Sequence, residues 1–108
     1  MNRGDLWTVA GGVYASKPRP ALVIQDDRFD ATDSVTVLPL TSTIVDASLL
    51  RITIDATDLS GLRQRSQIMI DKLTTVRRSN VQERVGRLSA AQLVDVERTM
   101  LAFLGLAG

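Results

Sequence analysis

An arginine flanked by two prolines is the first feature of this sequence that could do chemistry. Arg19 lies between Pro18 and Pro20 in "KPRPALVI", where four apolar residues follow. Because neither proline has an amide hydrogen and both rings fix φ, the backbone here is stiff and cannot pair fully with a neighbouring strand. A guanidinium presented in this way suits bidentate capture of a phosphate. An ordinary surface arginine beside a rigid strand start is the simpler interpretation.

A run of three hydroxyl residues closes a second apolar stretch. "SVTVLPLTST" ends in Thr41, Ser42 and Thr43, and hydroxyls at a strand end either cap a loop or donate hydrogen bonds to a ligand. The chain contains no histidine, the side chain most used for proton transfer near neutral pH. Any chemistry therefore depends on Arg, Lys, Thr, Ser, Tyr, Asp or Glu.

The net charge of +1 conceals an uneven distribution of charged residues. Segment 51–87 holds eight basic and four acidic residues, a net of +4, whereas 26–33 holds four acids and Arg28, a net of −3. This asymmetry fits a polyanionic ligand, and it equally fits an arginine-rich face in contact with solvent. The basic residues that we consider candidates for ligand contacts are Arg63, Arg65, Arg77 and Arg78.

Length and composition narrow the class of protein. At 108 residues the chain has the length of one domain with its own core, which we expect to span 1–108. The absence of cysteine excludes disulfides and thiolate metal sites. No uncharged run reaches the ~20 apolar residues of a membrane-spanning helix, and the acid in "MNRGDLW" is not typical of a signal peptide. We therefore expect a cytoplasmic protein with no membrane segment.

The elements that must position these residues are short strands followed by one helix. Gly11 starts a predicted loop that continues through Lys17, and Pro39 indicates a bulge or a strand end. Alternation and apolar runs predict strands at 4–10, 21–25, 34–40, 51–55 and 67–70, with weaker candidates at 74–76 and 85–88.

The C-terminal segment predicts an α-helix. Ser89 and Gln92 have the spacing of a capping box, and Gly105 is a natural stop. The chain is therefore mainly β, and we predict a small antiparallel barrel that the helix covers on one side. The apolar stripe that should pack on the barrel consists of Leu93, Val96, Met100, Leu101 and Leu104.

Five motifs follow one another along the chain. They are "RGD" at 3–5, "KPRPALVIQDDRF" at 17–29, "VTVLPLTS" at 35–42, "IMIDKLTTV" at 68–76, and "VGRLS" at 85–89 before a helix ending "FLGL". In this order they resemble the MazF/PemK family of toxin endoribonucleases over nearly the whole chain. Arginine-proline before an apolar strand and Pro-Leu-Thr-Ser at the end of the next are the most diagnostic of these motifs.

The resemblance implies a fold, an activity and partners. The fold would be an SH3-like barrel of CcdB/MazF type that forms a homodimer. It would cut single-stranded RNA at a short sequence, with mRNA as the expected target, and use no metal or other cofactor. A cognate, MazE-like antitoxin would inhibit it.

The resemblance also implies the catalytic pair. The family's catalytic arginine and threonine correspond to Arg19 and Thr41, the two positions reached above from the residues. RNA supplies its own nucleophile, the 2′-hydroxyl, so the missing histidine is no obstacle, and the product would be a 2′,3′-cyclic phosphate. The enzyme would position the nucleophile and neutralise charge on the phosphate.

The loop before Arg19 departs from the family pattern. Family members often carry a glutamate there, whereas "GGVYASK" has no acid, and none lies between Asp5 and Asp26. The group that acts as general base is therefore unassigned, and activity could be reduced. Tyr14 is a candidate for stacking on a base or for anchoring the loop, and Lys17 for touching a phosphate.

Ser42 and Thr43 complete the set of candidate substrate contacts, beside the alternative that they are solvated loop hydroxyls. Two other functional classes stay open. One is a non-enzymatic gyrase poison of CcdB type, against which the Arg-Pro and Leu-Thr-Ser motifs argue. The other is a catalytically weak relative that mainly binds RNA or a partner protein, which the altered loop allows.

Overall fold

The computed structural model describes residues 1–11 and 15–106. Within that part, strands precede a single α-helix, and short 3-10 turns lie at Asp27–Phe29, Ile70–Lys72 and Arg78–Asn80. The predicted mainly-β fold with a C-terminal helix is confirmed. The elements are β1 (Asp5–Gly11), β2 (Ala15–Val23), β3 (Ser34–Thr41), β4 (Arg51–Ile54), β5 (Ser66–Met69), β6 (Thr74–Arg77), β7 (Val81–Arg87) and α1 (Ala90–Phe103).

The strands form one antiparallel sheet in the order β4-β5-β3-β2-β1-β7, with β6 also paired to β3. β5 and β6 pair with successive parts of β3: β6 pairs with residues 34–37, and β5 pairs with Leu40 and Thr41. β3 thus changes partner just after Pro39, where the sequence indicated a bulge or strand end. Among the described residues the outermost strands β4 and β7 do not pair, so the sheet is not closed into a complete barrel.

Two apolar clusters pack on opposite faces of the central strands. Leu22 and Leu38 belong to the larger cluster, to which α1 contributes Val96. Their neighbours Val23 and Val37 belong to the smaller one. Because successive side chains of a strand point to opposite faces, β2 and β3 are buried on both sides. This two-sided burial explains why both strands are apolar runs in the sequence.

The helix begins where the sequence predicts. Ser89 Oγ accepts a hydrogen bond from the Gln92 amide (3.1 Å), and Gln92 Oε1 accepts one from the Ser89 amide (2.8 Å), which completes a capping box. The predicted stripe was wrong at its end, since Leu101 and Leu104 are 42% and 44% exposed. Leu101 lies five residues after the buried Val96, about 140° around the helix axis, and Leu104 is the C-cap residue. No helix among the described residues is long and apolar enough to cross a membrane.

Strand β2 begins earlier than predicted. The loop expected to continue through Lys17 is wrong for its last residues, because β2 starts at Ala15; positions 12–14 lie outside the described residues. β1 pairs along this stretch, with Val9 opposite Arg19. Both prolines therefore lie inside a strand that is paired with β1 along one edge.

The prolines explain why β2 and β3 separate. Successive residues of a strand point their amides to opposite edges, so Pro18 and Pro20, two positions apart, remove donors from the same edge. β1 pairs along the other edge, and on the β3 side the pairing of described residues stops at Ala21–Pro39. Beyond that pair the two strands are free to part, and a cleft opens between them.

Candidate active site

A cleft of about 800 Å³ opens beyond the last pair of β2 and β3. Its walls are the first half of β2, the end of β3, the loop before β5, and the middle of β7 beside Thr8 of β1. The described residues that line it are Thr8, Lys17, Pro18, Arg19, Pro20, Leu40, Thr41, Ser42, Gly61, Leu62, Arg63, Gln64, Ser66, Gln82, Glu83, Arg84 and Val85.

Arg19 and Thr41 both line this cleft. The β2–β3 register ends at Ala21–Pro39, so Arg19 and Thr41 each lie two residues beyond the last pair, on the two strands that diverge there. Because side chains alternate along a strand, each of the two points to the same face of its strand as the paired residue, Ala21 or Pro39. The two side chains predicted to act together therefore line a common cavity, Arg19 from the middle of β2 and Thr41 from the end of β3.

The hydroxyl of Thr41 is oriented by the backbone that follows it. Thr41 Oγ1 accepts a hydrogen bond from the Thr43 amide at 3.2 Å, which leaves its own hydrogen to donate to a ligand. The chain beyond is anchored by Gln67, which is 4% exposed. The Gln67 amide group donates to the Val45 carbonyl (2.9 Å) and accepts from the Val45 amide (3.1 Å). This end of β3 is therefore held in place by buried polar contacts.

A serine-centred turn shapes the loop that forms the opposite wall. Ser60 is 2% exposed, and its hydroxyl oxygen accepts from the Thr57 amide at 3.1 Å. The same hydroxyl donates to the Asp55 carbonyl at 2.9 Å, while the Thr57 hydroxyl oxygen accepts from the Ser60 amide at 3.1 Å. These bonds satisfy polar groups that burial would otherwise leave unpaired.

The same loop is fastened to β7. The Arg87 amide donates to the Leu59 carbonyl at 2.9 Å. Gly61 has φ +68°, and a Cβ there would lie 1.9 Å from the Val85 carbonyl oxygen, so both its conformation and its space require glycine. The loop is thereby pressed against β7, and the next residues bring Arg63 to the cleft.

The cleft is strongly cationic. Glu83 is the single acid among its described lining residues, which fits binding of a polyanion. The cations that line it are Lys17, Arg19, Arg63 and Arg84.

One of these cations also forms an ion pair within the protein. Arg84 pairs with Asp5, with an Nη2–Oδ1 distance of 3.3 Å. Burial by itself would raise the pKa of Asp5, but hydrogen bonds from the Asn2 amide, Arg84 and Trp7 outweigh it and hold the pKa below its usual value of 3.8. The Arg84–Asp5 pair thus ties β7 to the start of β1.

The structure brings some of the predicted substrate contacts together in the cleft and leaves others outside it. Lys17, Ser42 and Arg63 share the cleft with the predicted catalytic pair. Tyr14 lies outside the described residues. Thr43 follows the cleft residue Ser42 but does not line the cleft.

The remaining three arginines lie away from the cleft lining. Arg65 pairs with Asp55 at 3.3 Å across the loop before β5. Arg78 donates from Nε to the Thr32 carbonyl at 2.7 Å and so links two loops. Arg77 is the exposed last residue of β6.

Sequence reasoning missed the part of the cleft formed by β7. Gln82, Glu83 and Arg84 line it, whereas the weak strand predicted at 85–88 begins four residues after the true start at Val81. β7 pairs with β1 through two register shifts, and such bulges break the alternation by which a strand is recognised. The three polar residues between Val81 and Val85, one amide and two charges, were the remaining signal.

No three Cys, His, Asp or Glu residues within 1–11 and 15–106 form a group that could hold a metal ion.

Comparison with known proteins identifies a family. A model of PemK-like, MazF-like toxins of type II toxin–antitoxin systems matches residues 2–104. The chain is also 56% identical, over 109 residues that cover 100% of both proteins, to a probable endoribonuclease MazF of Mycolicibacterium smegmatis.

Solved structures show the same fold at lower identity. An endoribonuclease in complex with its cognate antitoxin, from a mycobacterial species, has a TM-score of 0.82 at 18% identity, covering 100% of this chain and 98% of that one. A MazE-MazF structure from Deinococcus radiodurans has a TM-score of 0.80 at 21% identity, covering 99% of this chain and 97% of that one. At these identities the likeness concerns the fold.

Proposed function

This chain belongs to the PemK-like, MazF-like toxin family of type II toxin–antitoxin systems, and we propose that its cleft cleaves single-stranded RNA with Arg19 and Thr41 as the catalytic pair. Endoribonuclease is the activity named for the relative that is 56% identical over the full chain. The observation that supports the pair is that both residues line one cationic cleft.

The proposed reaction is a transesterification within the RNA. The 2′-oxygen forms a bond to phosphorus, the bond from phosphorus to the 5′-oxygen breaks, and the products are a 2′,3′-cyclic phosphate and a 5′-hydroxyl. Arg19 neutralises the negative charge that builds on the phosphate oxygens, and Thr41 donates a hydrogen bond to the same oxygens or orients the attacking hydroxyl. DNA lacks the 2′-hydroxyl and should bind without being cut.

The other cleft residues hold the strand. Lys17 and Arg63 contact phosphates on either side of the cut, and Ser42 adds a hydroxyl beside Thr41. Bases unstacked from the single strand supply sequence choice, with Tyr14 as a stacking platform. Along the strand beyond the cleft, the remaining contacts are Thr43, Arg65, Arg77 and Arg78.

The proposal includes the protein's setting. Residues 1–108 form one toxin domain that acts on mRNA in the cytoplasm as a homodimer. A cognate, MazE-like antitoxin inhibits it, in keeping with the antitoxin complexes of two proteins that share its fold. The cationic cleft is a fitting surface for an acidic segment of that antitoxin.

The alternatives are less well supported. A gyrase poison of CcdB type has no need of an arginine and a threonine at one cleft, and the family match is to the PemK-like and MazF-like toxins. A weakly catalytic RNA-binding relative is distinguished by rate. It would retain affinity for RNA and show negligible turnover.

A cleavage assay tests the proposal. The purified protein is incubated with long single-stranded RNA in EDTA, beside Arg19→Ala, Thr41→Ala and the control Arg98→Ala, which removes an exposed arginine of α1. We expect cleavage by the parent and the control, and a loss of about 10²–10³ in rate for either cleft variant. Intact RNA with a retained gel shift would favour the binding protein, and growth arrest with intact RNA would favour the gyrase poison.

A further inference from the structure

Cleavage by a 2′-hydroxyl requires a group that accepts its proton. The chain has no histidine, and Glu83 is the single carboxylate among the described residues of the cleft. We propose that Glu83 is the general base that takes the proton from the 2′-hydroxyl. This inference rests on the proposed function and assigns a role to a residue beyond the Arg19–Thr41 pair.

A bulge in β7 presents Glu83 to the cleft. Trp7 of β1 pairs with Arg84, and Val9 pairs with Val81, so one residue of β1, Thr8, faces two residues of β7. Such a bulge bends its strand and re-aims the side chains of the extra residues. Glu83 lines the cleft from this position.

Thr8 fixes the backbone of the bulge. Its hydroxyl oxygen accepts a hydrogen bond from the Glu83 amide at 3.1 Å and lies 3.5 Å from the Glu83 carbonyl oxygen, to which it donates. Both contacts use the backbone of Glu83, and the carboxylate takes part in no hydrogen bond or ion pair with the described residues. The structure therefore holds Glu83 firmly and keeps its carboxylate available to a ligand.

The strand order brings Glu83 within reach of the same phosphodiester as Arg19. β7 lies beside β1, which lies beside β2, so two strand spacings, about 10 Å, separate the backbones of Glu83 and Arg19. Thr8 is paired in register with Pro20, which sets the bulge level with the start of the cleft. A glutamate and an arginine extending from the two sides span this gap with a ribose phosphate between them.

The other charged residues that line the cleft with Glu83 are all cations. Lys17 and Arg19 come from β2, Arg63 from the loop before β5, and Arg84 from β7 itself. The Glu83 carboxylate therefore lies among the cations to which we assign the phosphates on either side of the cut. We therefore place the ribose whose 2′-hydroxyl reacts beside Glu83.

The proton transfer balances within the reaction. The carboxylate of Glu83 takes the hydrogen of the 2′-hydroxyl as the 2′-oxygen forms its bond to phosphorus. The bond to the 5′-oxygen then breaks, and that oxygen takes a proton from water. Glu83 returns its proton to solvent after the cyclic phosphate leaves.

The test compares Glu83→Gln, Glu83→Asp and the control Asp95→Asn, which removes an exposed acid from α1. We expect Glu83→Gln to lower kcat/KM by about 10²–10⁴, Glu83→Asp to keep part of the activity, and Asp95→Asn to match the parent. Affinity for RNA with a 2′-deoxy residue at the mapped cut position should change little for Glu83→Gln. Its pH–rate profile should differ from the parent's, because a glutamine side chain cannot take up the proton.

Two kinds of result would overturn the inference without touching the proposed function. One is a Glu83→Gln enzyme that cuts at the parent's rate with the parent's pH profile. The other is one that keeps its rate and cuts at different RNA words, because Glu83 would then read a base. Failure of the proposed function has another signature, in which the parent itself leaves RNA intact under all these conditions.

Discussion

Replacing Gly86 with alanine should loosen the cleft wall formed by β7 and the preceding loop. Gly86 is buried in β7, and a Cβ there would lie 2.3 Å from the Ser60 carbonyl oxygen and 2.5 Å from the Leu59 carbonyl oxygen. Ordinary contacts begin at 3.4 Å. Since the obstacles are backbone atoms, the loop at 59–61 must move by about 1 Å to admit a methyl group.

The cost of this movement has two parts. Strain from overpacking is about 1–3 kcal/mol, and weakening of the hydrogen bond from the Arg87 amide to the Leu59 carbonyl (2.9 Å) adds about 1 kcal/mol. The free energy of unfolding should therefore fall by about 2–4 kcal/mol, which lowers Tm by roughly 10–30 °C in a chain of this length. Because the moved loop carries Arg63 to the cleft, RNA cleavage should also fall at temperatures where the variant is still folded.

Chemical denaturation followed by tryptophan fluorescence measures the first effect, and cleavage well below Tm measures the second. The matched control is Gly105→Ala, where φ is +72° and no atom lies within 4 Å of the added Cβ. This control bears only the strain of a left-handed backbone, about 1 kcal/mol. A Gly86→Ala protein as stable as the parent, or no less stable than Gly105→Ala, would refute the reasoning.

Three further predictions concern other parts of the molecule. Ser89→Ala removes the helix cap and should reduce the free energy of unfolding by about 1 kcal/mol. The control Ser79→Ala, at an exposed turn, should leave the denaturation midpoint unchanged. Equal midpoints for these two variants would contradict the role of the cap. The pKa of Asp5 is lowered in the folded protein, so the stability that ionised Asp5 contributes is complete above the ordinary pKa of 3.8 and is lost as pH falls further. Asp5→Asn should therefore be less stable than the parent at pH 7, and denaturation at decreasing pH should show the difference in stability shrinking. A difference that stays constant with pH would count against this role of Asp5. Arg63→Ala should weaken RNA binding and reduce the slope of log affinity against log salt concentration by about 0.7, whereas the control Arg98→Ala should leave the slope unchanged. Binding titrations at several salt concentrations measure these slopes. Equal slopes for Arg63→Ala and the parent would show that Arg63 does not contact the RNA.

The features that the sequence could predict are those with local causes. The proline pair beside Arg19 restricts its own backbone, and burial on both faces makes β2 and β3 visible as apolar runs. The capping box at Ser89 is likewise a contact between residues three positions apart. For these reasons the stretches that carry Arg19 and Thr41 could be located without coordinates, although only the structure shows that the two residues share a cleft.

The features that could not be predicted depend on contacts distant in sequence. Glu83 reaches the cleft through a bulge that exists only because β7 pairs with β1. The opposite wall depends on the close approach of Gly61 to Val85, which no local pattern encodes. The exposure of Leu101 depends on which side of α1 packs on the sheet, which the apolar residues of the helix do not define sharply.

A double-mutant cycle on the cleavage rate shows whether Arg19 and Thr41 act on one phosphodiester. The rates of the parent, Arg19→Ala, Thr41→Ala and the double variant are measured on one RNA at saturating and limiting concentrations. If both residues stabilise the same transition state, the double variant should lose little more than the worse single variant, because groups that act as a unit are not additive. Losses that multiply, or a single variant that cuts as fast as the parent, would contradict the account.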